Sequence, residues 1–177
     1  PPAEPPTALL LPVAGRVPPA DAVMKAGGWD RNKFVGTQVA GKTLGLLGYG
    51  HIGKALAKRA KAFEMRVAAI SRSGCSDSSL DFGGSPDDLD ALLKQSNFFV
   101  IAAPLTPETH GLIAARQLEL LPEDAYLVNV ARAEILDEQA LYDALASRRL
   151  GGAALDVWYR YPDRGASGHG SRLPFHT

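Results

Sequence analysis

Short apolar runs alternate with amphipathic stretches along most of this chain. Five runs read as strands, at residues 43–47, 66–70, 97–102, 125–130 and 152–157. Between them, apolar positions recur at helical spacing near 51–63, 86–95, 114–120 and 137–147. Ile52, Leu56, Ala60 and Phe63 form the stripe of the first helix. Ser85-Pro86-Asp87-Asp88 offers the second a cap, a first-turn proline and acidic residues near its start. Asp137-Glu138-Gln139 opens the last in the same way, without proline. Strands alternating with helices of this length predict right-handed βαβ units and a parallel sheet covered on both faces. The expected fold class is α/β, a Rossmann-type doubly wound parallel sheet with about five strands in the order 3-2-1-4-5. A sixth strand is not expected.

The two ends break this rhythm. Seven prolines fall in residues 1–20, at Pro1, Pro2, Pro5, Pro6, Pro12, Pro18 and Pro19. Proline interrupts helices, so residues 1–19 read as a ragged, proline-rich lead-in to a domain spanning 20–157. Ala20 to Lys25 reads as one or two helical turns, ended by Gly27-Gly28-Trp29, with a loop over 30–42. Residues 158–177 hold Gly165, Gly168 and Gly170, three arginines and no apolar period, and read as an irregular tail.

Chemistry enters between the first two strands. Thr43-Leu44-Gly45-Leu46-Leu47 runs into Gly48-Tyr49-Gly50-His51-Ile52-Gly53, which opens the helical stretch. A Gly-x-Gly-x-x-Gly turn joining a strand to a helix is the context a dinucleotide fingerprint requires. Gly48 allows the tight turn, Gly50 lets the backbone approach a diphosphate, and Gly53 lets the helix pack close to the strand. The first amides of that helix, and its dipole, then favour the phosphate charge.

The end of the second strand selects between NAD and NADP. A carboxylate there binds the ribose hydroxyls and repels a 2′-phosphate. Here the strand ends Ile70-Ser71-Arg72-Ser73, and the first carboxylate comes at Asp77. Ser71 lies 18 residues after Gly53, where an acidic residue would be expected. Ser71 can hydrogen-bond a phosphate and Arg72 can pair with one. The reading leans toward NADP, with NAD as the alternative in which Arg72 is solvated or stacks on adenine.

Composition narrows the partners. Lys plus Arg and Asp plus Glu both number 19, so the net charge is zero and nucleic acid is not an expected partner. Cys75 is the single cysteine, so no internal disulfide can form, and no Cys/His cluster has metal-ligand spacing. No apolar run reaches the length of a membrane span, and the Pro-Pro-Ala-Glu-Pro-Pro start lacks the charge of a signal peptide. A cytoplasmic location is the expectation.

Four ordered stretches together resemble the D-isomer-specific 2-hydroxyacid dehydrogenases, a family that includes phosphoglycerate dehydrogenase, glyoxylate/hydroxypyruvate reductase and D-lactate dehydrogenase. They are Gly41 to Gly53, Pro104 to Ile113, Val128-Asn129-Val130-Ala131-Arg132 continuing to Asp137-Glu138, and Gly152 to Val157. The likeness covers roughly residues 20–162. It implies an NAD(P)-dependent oxidoreductase that transfers a hydride between a nicotinamide cofactor and a small 2-hydroxy or 2-oxo acid. It also implies that this chain is most of the cofactor domain of such an enzyme, cut at both ends, with little turnover alone. The family tends to dimerise, which makes a homodimer one expected assembly.

The resemblance also implies roles. His51 and Ile52 present amides to the diphosphate. Ser71 and Arg72 meet the adenosine ribose, and Pro104 and Thr109 belong to the cofactor-contacting loop. Val130 and Ala131 lie beside the nicotinamide, and Asp156 holds its carboxamide. Arg132 is the catalytic candidate, gripping the substrate carboxylate and polarising the 2-oxo group. Read alone, Arg132 is equally a surface charge, Asn129 and Asp156 could satisfy loop backbone, and Glu134 and Asp137 are capping or solvated residues.

Two departures favour a second reading, a catalytically silent dinucleotide-binding or corepressor-like module. The family's glutamate that pairs with the catalytic histidine falls at Tyr161, which carries no charge at neutral pH. The histidine itself belongs to a later segment, and neither His169 nor His176 stands in its setting. A third reading is a fragment that does not fold stably, because an open sheet edge invites aggregation.

Overall fold

In a computed structural model of the chain, residues 4–30, 32–161, 171, 173 and 174 are described. Six strands form one parallel sheet: β1 Thr43–Leu47, β2 Arg66–Ile70, β3 Phe82–Gly84, β4 Phe98–Ile101, β5 Ala125–Asn129 and β6 Leu150–Leu155. The helices are α1 Glu4–Ala14, α2 Val17–Lys25, α3 His51–Ala62, α4 Leu89–Gln95, α5 Ala115–Leu120 and α6 Glu138–Ala146.

The apolar runs are unbroken because the central strands are buried on both faces. Successive residues alternate between two cores. Leu44, Leu46, Phe98, Val100 and Val128 face one core with Leu10 of α1 and Leu56 of α3. Leu47, Phe99, Ile101 and Leu127 face the other with Leu92, Leu93, Leu118 and Leu141 of α4 to α6. Tyr126 stacks on Phe98 at 5.2 Å between ring centroids. Its hydroxyl lies 3.0 Å from Thr37 Oγ1, which fastens the loop before β1.

The sheet order is β3-β2-β1-β4-β5-β6. This corrects both the count of five strands and the expected order. The expected order placed residues 97–102 at the edge, beside 66–70. Phe98–Ile101 instead pairs with β1, Leu44 opposite Phe98, and the edge belongs to Phe82–Gly84. That edge strand has no apolar alternation. Asp81 sets its register, since its amide donates to the Val67 carbonyl (2.8 Å) while its Oδ2 accepts from Val67 N–H and Lys61 Nζ, both 2.6 Å.

The ragged lead-in is also corrected: most of it is helical. Pro5 and Pro6 lie in the first turn of α1, where the N–H would be unpaired anyway. Pro12 removes one bond inside the helix. Burial of Leu10 and Ala14 against the β5–β6 face outweighs that loss. Helix α2 then starts at Val17, with proline in its first turn, three residues earlier than expected. The helix expected over 86–95 is a short 3-10 turn at Pro86–Asp88 running into α4, with the Asp88 carboxylate accepting from Ser85 N–H at 2.8 Å. Asp137 caps α6 by accepting from Ala140 N–H at 2.7 Å, as its sequence position suggested.

Candidate functional site

Because every strand runs the same way, the segments following β1, β2, β4, β5 and β6 leave one edge of the sheet together. All sequence-named site residues fall on these segments. In open α/β sheets this carboxyl edge is where ligands bind.

The three glycines after β1 have three different reasons. Gly48 has φ +107, and a Cβ there would meet Ala103 N at 2.7 Å and the Ala102 carbonyl at 2.8 Å. Gly53 brings α3 against the turn, where a Cβ would lie 2.3 Å from the Gly48 oxygen. A Cβ on Gly50 would meet nothing within 4 Å. No protein contact requires glycine at that position; it faces open space. Gly50 is also the N-cap of α3, and the first intrahelical bond runs from Lys54 N–H to the Gly50 carbonyl, 2.9 Å. The amides of His51, Ile52 and Gly53 therefore have no intrahelical acceptor. Open space at Gly50, next to three such amides, fits the diphosphate of a dinucleotide.

After β2, the chain makes a tight turn. Ser71 Oγ donates to the Gly74 carbonyl at 2.7 Å, so its hydroxyl proton is used within the loop. Arg72 is exposed and near enough to Glu108 to help hold that carboxyl below the usual carboxylate range, after the larger effect of the Thr106 hydrogen bond. Asp77 is committed elsewhere. Its Oδ1 accepts from Ser79 N–H (2.9 Å) and Oγ (2.7 Å), and its Oδ2 from the Tyr49 hydroxyl at 3.0 Å.

After β4, Thr109 closes the loop on itself. Its hydroxyl donates to the Pro104 carbonyl and accepts from Thr106 N–H, both at 2.8 Å. Pro104 is exposed at the start of that loop.

The end of β5 is organised by Asn129, 1% exposed. Its Oδ1 accepts from Ala131 N–H and its Nδ2 donates to the Arg132 carbonyl, both at 3.0 Å. Its own carbonyl accepts from Asp156 N–H at 2.9 Å. One buried side chain thus shapes the Val130-Ala131-Arg132 loop, while its backbone ties in Asp156. Val130 and Ala131 are half-buried, and Arg132 and Asp156 are exposed. Arg132 Nη1 donates to the Ala131 carbonyl at 2.7 Å, and among the described residues no carboxylate pairs with it. The sequence expectation that Asn129 could satisfy loop backbone matches these bonds.

Beyond β6, Tyr159 donates to the Leu136 carbonyl at 2.9 Å, and burial pushes its phenol pKa up. Tyr161 is 69% exposed, and its hydroxyl accepts from Trp158 N–H at 3.2 Å. His169 and His176, with most of the expected tail, lie outside the described residues. Among the described residues no cluster of His, Cys, Asp or Glu could hold a metal ion, and no helix is long and apolar enough to cross a membrane.

A doubly wound parallel sheet whose first strand ends in an open glycine turn, over free helix amides, defines a dinucleotide-binding α/β domain. Residues 7–168 match the sequence profile of the D-isomer specific 2-hydroxyacid dehydrogenase, NAD binding domain, and the chain belongs to that family. It is 40% identical to a glyoxylate reductase of Thermococcus litoralis over 162 residues, 88% of this chain and 49% of that protein. It is 39% identical to a D-3-phosphoglycerate dehydrogenase of Methanocaldococcus jannaschii over 157 residues, 88% of this chain and 30% of that protein. The chain thus spans at most about half the length of these relatives. Among solved structures, an acyclic imino acid reductase in complex with NADPH and D-Arg superposes with a TM-score of 0.83 at 32% identity, covering 91% of this chain and 52% of that one. An NAD-dependent formate dehydrogenase from Staphylococcus aureus, in complex with NAD, superposes at 0.83 and 31% identity, covering 94% and 50%.

Proposed function

We propose that this chain binds a nicotinamide dinucleotide, NADP in preference to NAD, and serves hydride transfer to or from a small 2-hydroxy or 2-oxo acid. The carrying observation is the convergence, on one sheet edge, of the open glycine turn with the Asn129-ordered segments bearing Arg132 and Asp156. When bound, the nicotinamide supplies or accepts the hydride. The chain's residues do the rest. The His51, Ile52 and Gly53 amides receive the diphosphate, and Gly48 and Gly50 shape the turn beneath it. Ser71 and Arg72 flank the adenosine ribose. Pro104 and Thr109 hold the loop over the cofactor. Val130 and Ala131 border the nicotinamide ring, and the Asp156 carboxylate accepts from its carboxamide. Arg132 binds the acid's carboxylate and stabilises negative charge developing on its 2-oxo oxygen. Glyoxylate reductase and phosphoglycerate dehydrogenase relatives match about equally well, so the substrate is proposed only as a class. A homodimer is part of the same reading. Trp29, 78% exposed, and Val35, 73% exposed, supply apolar surface that a second copy would cover.

Titration with NADPH and NADH, followed by nicotinamide fluorescence, tests this directly. Arg72→Ala is expected to weaken NADPH about ten-fold and NADH by less than about two-fold, since only NADPH offers the guanidinium a 2′-phosphate. Selective binding of NADH by the parent chain would sink the role given to Arg72. One observation favours a second reading, a silent binding module: Tyr161 is an exposed phenol where the family has a carboxylate, and its hydroxyl serves a local backbone contact. Oxidation of NADPH by this chain on adding glyoxylate would overturn the silent reading.

A further inference from the structure

We propose that Tyr49 is a positioning residue that ties the glycine turn to the segment after β2, and so sets how the chain discriminates NADPH from NADH. This rests on the nucleotide-binding reading above. It concerns a residue type that the fingerprint leaves unspecified, since Tyr49 occupies the first variable position between Gly48 and Gly50.

The geometry is specific. Tyr49 is 8% exposed, and its ring packs in the core shared by Leu46, Val67 and Ala69. From there its hydroxyl leaves the core and donates to Asp77 Oδ2 at 3.0 Å, with Ser79 Oγ at 3.3 Å. Burial raises the phenol's pKa, so it remains a donor at neutral pH. Lys54 Nζ sits 5.8 Å from the ring centroid. Asp77 also holds Ser79 through its other oxygen.

The segment from Ser71 to Ser79 is therefore fastened at two ends. Its start is tied to β3, with Ser71 N–H and Cys75 N–H both donating to the Gly84 carbonyl, at 3.3 and 3.2 Å. Its far end is tied to Tyr49. Arg72 lies within the first of these ties, between Ser71 and Cys75, and the tie to Tyr49 holds the chain two residues beyond Cys75. On the reading above, contacts that distinguish the two nucleotides come only from this segment, because the diphosphate and nicotinamide contacts are common to both. A segment ordered before binding gives more discrimination than one that must be ordered by the ligand. Removing the phenol oxygen should loosen the discriminating contacts and spare the shared ones.

The test uses the whole chain and reads the ratio of NADPH to NADH dissociation constants beside the thermal midpoint. Tyr49→Phe keeps the ring and removes only the donor. It is expected to move the ratio about five-fold toward one, the worth of one net hydrogen bond. The thermal midpoint should stay close to the parent's. Asp77→Ala removes the acceptor itself and keeps the test available should Tyr49→Phe not fold. It should shift the ratio in the same direction, and the double variant should add nothing further. An unchanged ratio in both variants, or an equal loss for both nucleotides, would overturn the inference while leaving the nucleotide-binding reading intact. A parent chain that binds both nucleotides equally would overturn it too. A folded parent chain that binds neither would overturn both.

Discussion

Gly53→Ala is expected to lower the stability of the chain by about 3 kcal/mol and to remove nucleotide binding with it. The added Cβ would lie 2.3 Å from the Gly48 carbonyl oxygen, well inside any tolerated contact. That oxygen cannot simply retreat. Gly48 sits at φ +107, its amide donates to the Ile70 carbonyl at 3.0 Å, and its Cα faces the backbone of Ala102 and Ala103. Relief must come from moving α3, whose Leu56, Ala57 and Ala60 are buried against the sheet. Helix propensity alone predicts the opposite sign, because alanine is favoured over glycine by about 1 kcal/mol inside a helix. The urea midpoint therefore decides which effect wins. A stabilised Gly53→Ala chain would mean that α3 can slide away from the turn, and the close approach assigned to the third glycine would be withdrawn.

Most of the fold could be read from apolar pattern because the sheet is parallel and doubly covered. Strands such as Leu44–Leu47 and Phe98–Ile101 are continuous apolar runs, and each is buried. Phe82-Gly83-Gly84 offers no such run. It is held by backbone pairing to β2 and by Asp81, neither of which leaves a periodic trace. Missing it shifted the expected strand order, since the next strand in sequence was given its edge place. The lead-in failed for a different reason. Proline costs alone predict a ragged lead-in; burial of Leu10 and Ala14 against strands more than a hundred residues later offsets them.

For the candidate site, position was more legible than chemistry. Strand ends and glycine spacing placed every named residue on the carboxyl edge. What each polar side chain does there depends on distances that spacing does not encode. The hydroxyls of Ser71 and Thr109 close their own loops. Asp77, read as a distant carboxylate, is bound by a tyrosine 28 positions earlier. The unpaired amides of His51 and Ile52 follow from the helix start alone.

Gly50→Val is expected to fold and melt close to the parent while losing about 100-fold or more in affinity for either nucleotide. Gly50 has φ −84 and ψ −157, extended backbone outside the left-handed region that favours glycine. Its Cβ would touch nothing within 4 Å, so the folded chain gives no packing reason for glycine. The cost at the N-cap is about 1 kcal/mol. Binding should suffer far more. The isopropyl group would stand in the open space before the amides of His51, Ile52 and Gly53, and would keep phosphate oxygens from hydrogen-bond distance. Losing two charge-assisted bonds of about 1.5–3 kcal/mol each accounts for the expected drop. Because the diphosphate is common to NADH and NADPH, both affinities should fall together, unlike the selective effects of Arg72→Ala and Tyr49→Phe. Retained affinity in Gly50→Val would place the diphosphate elsewhere. A collapsed melting point would show that the protein itself, and not a ligand, requires glycine at this turn.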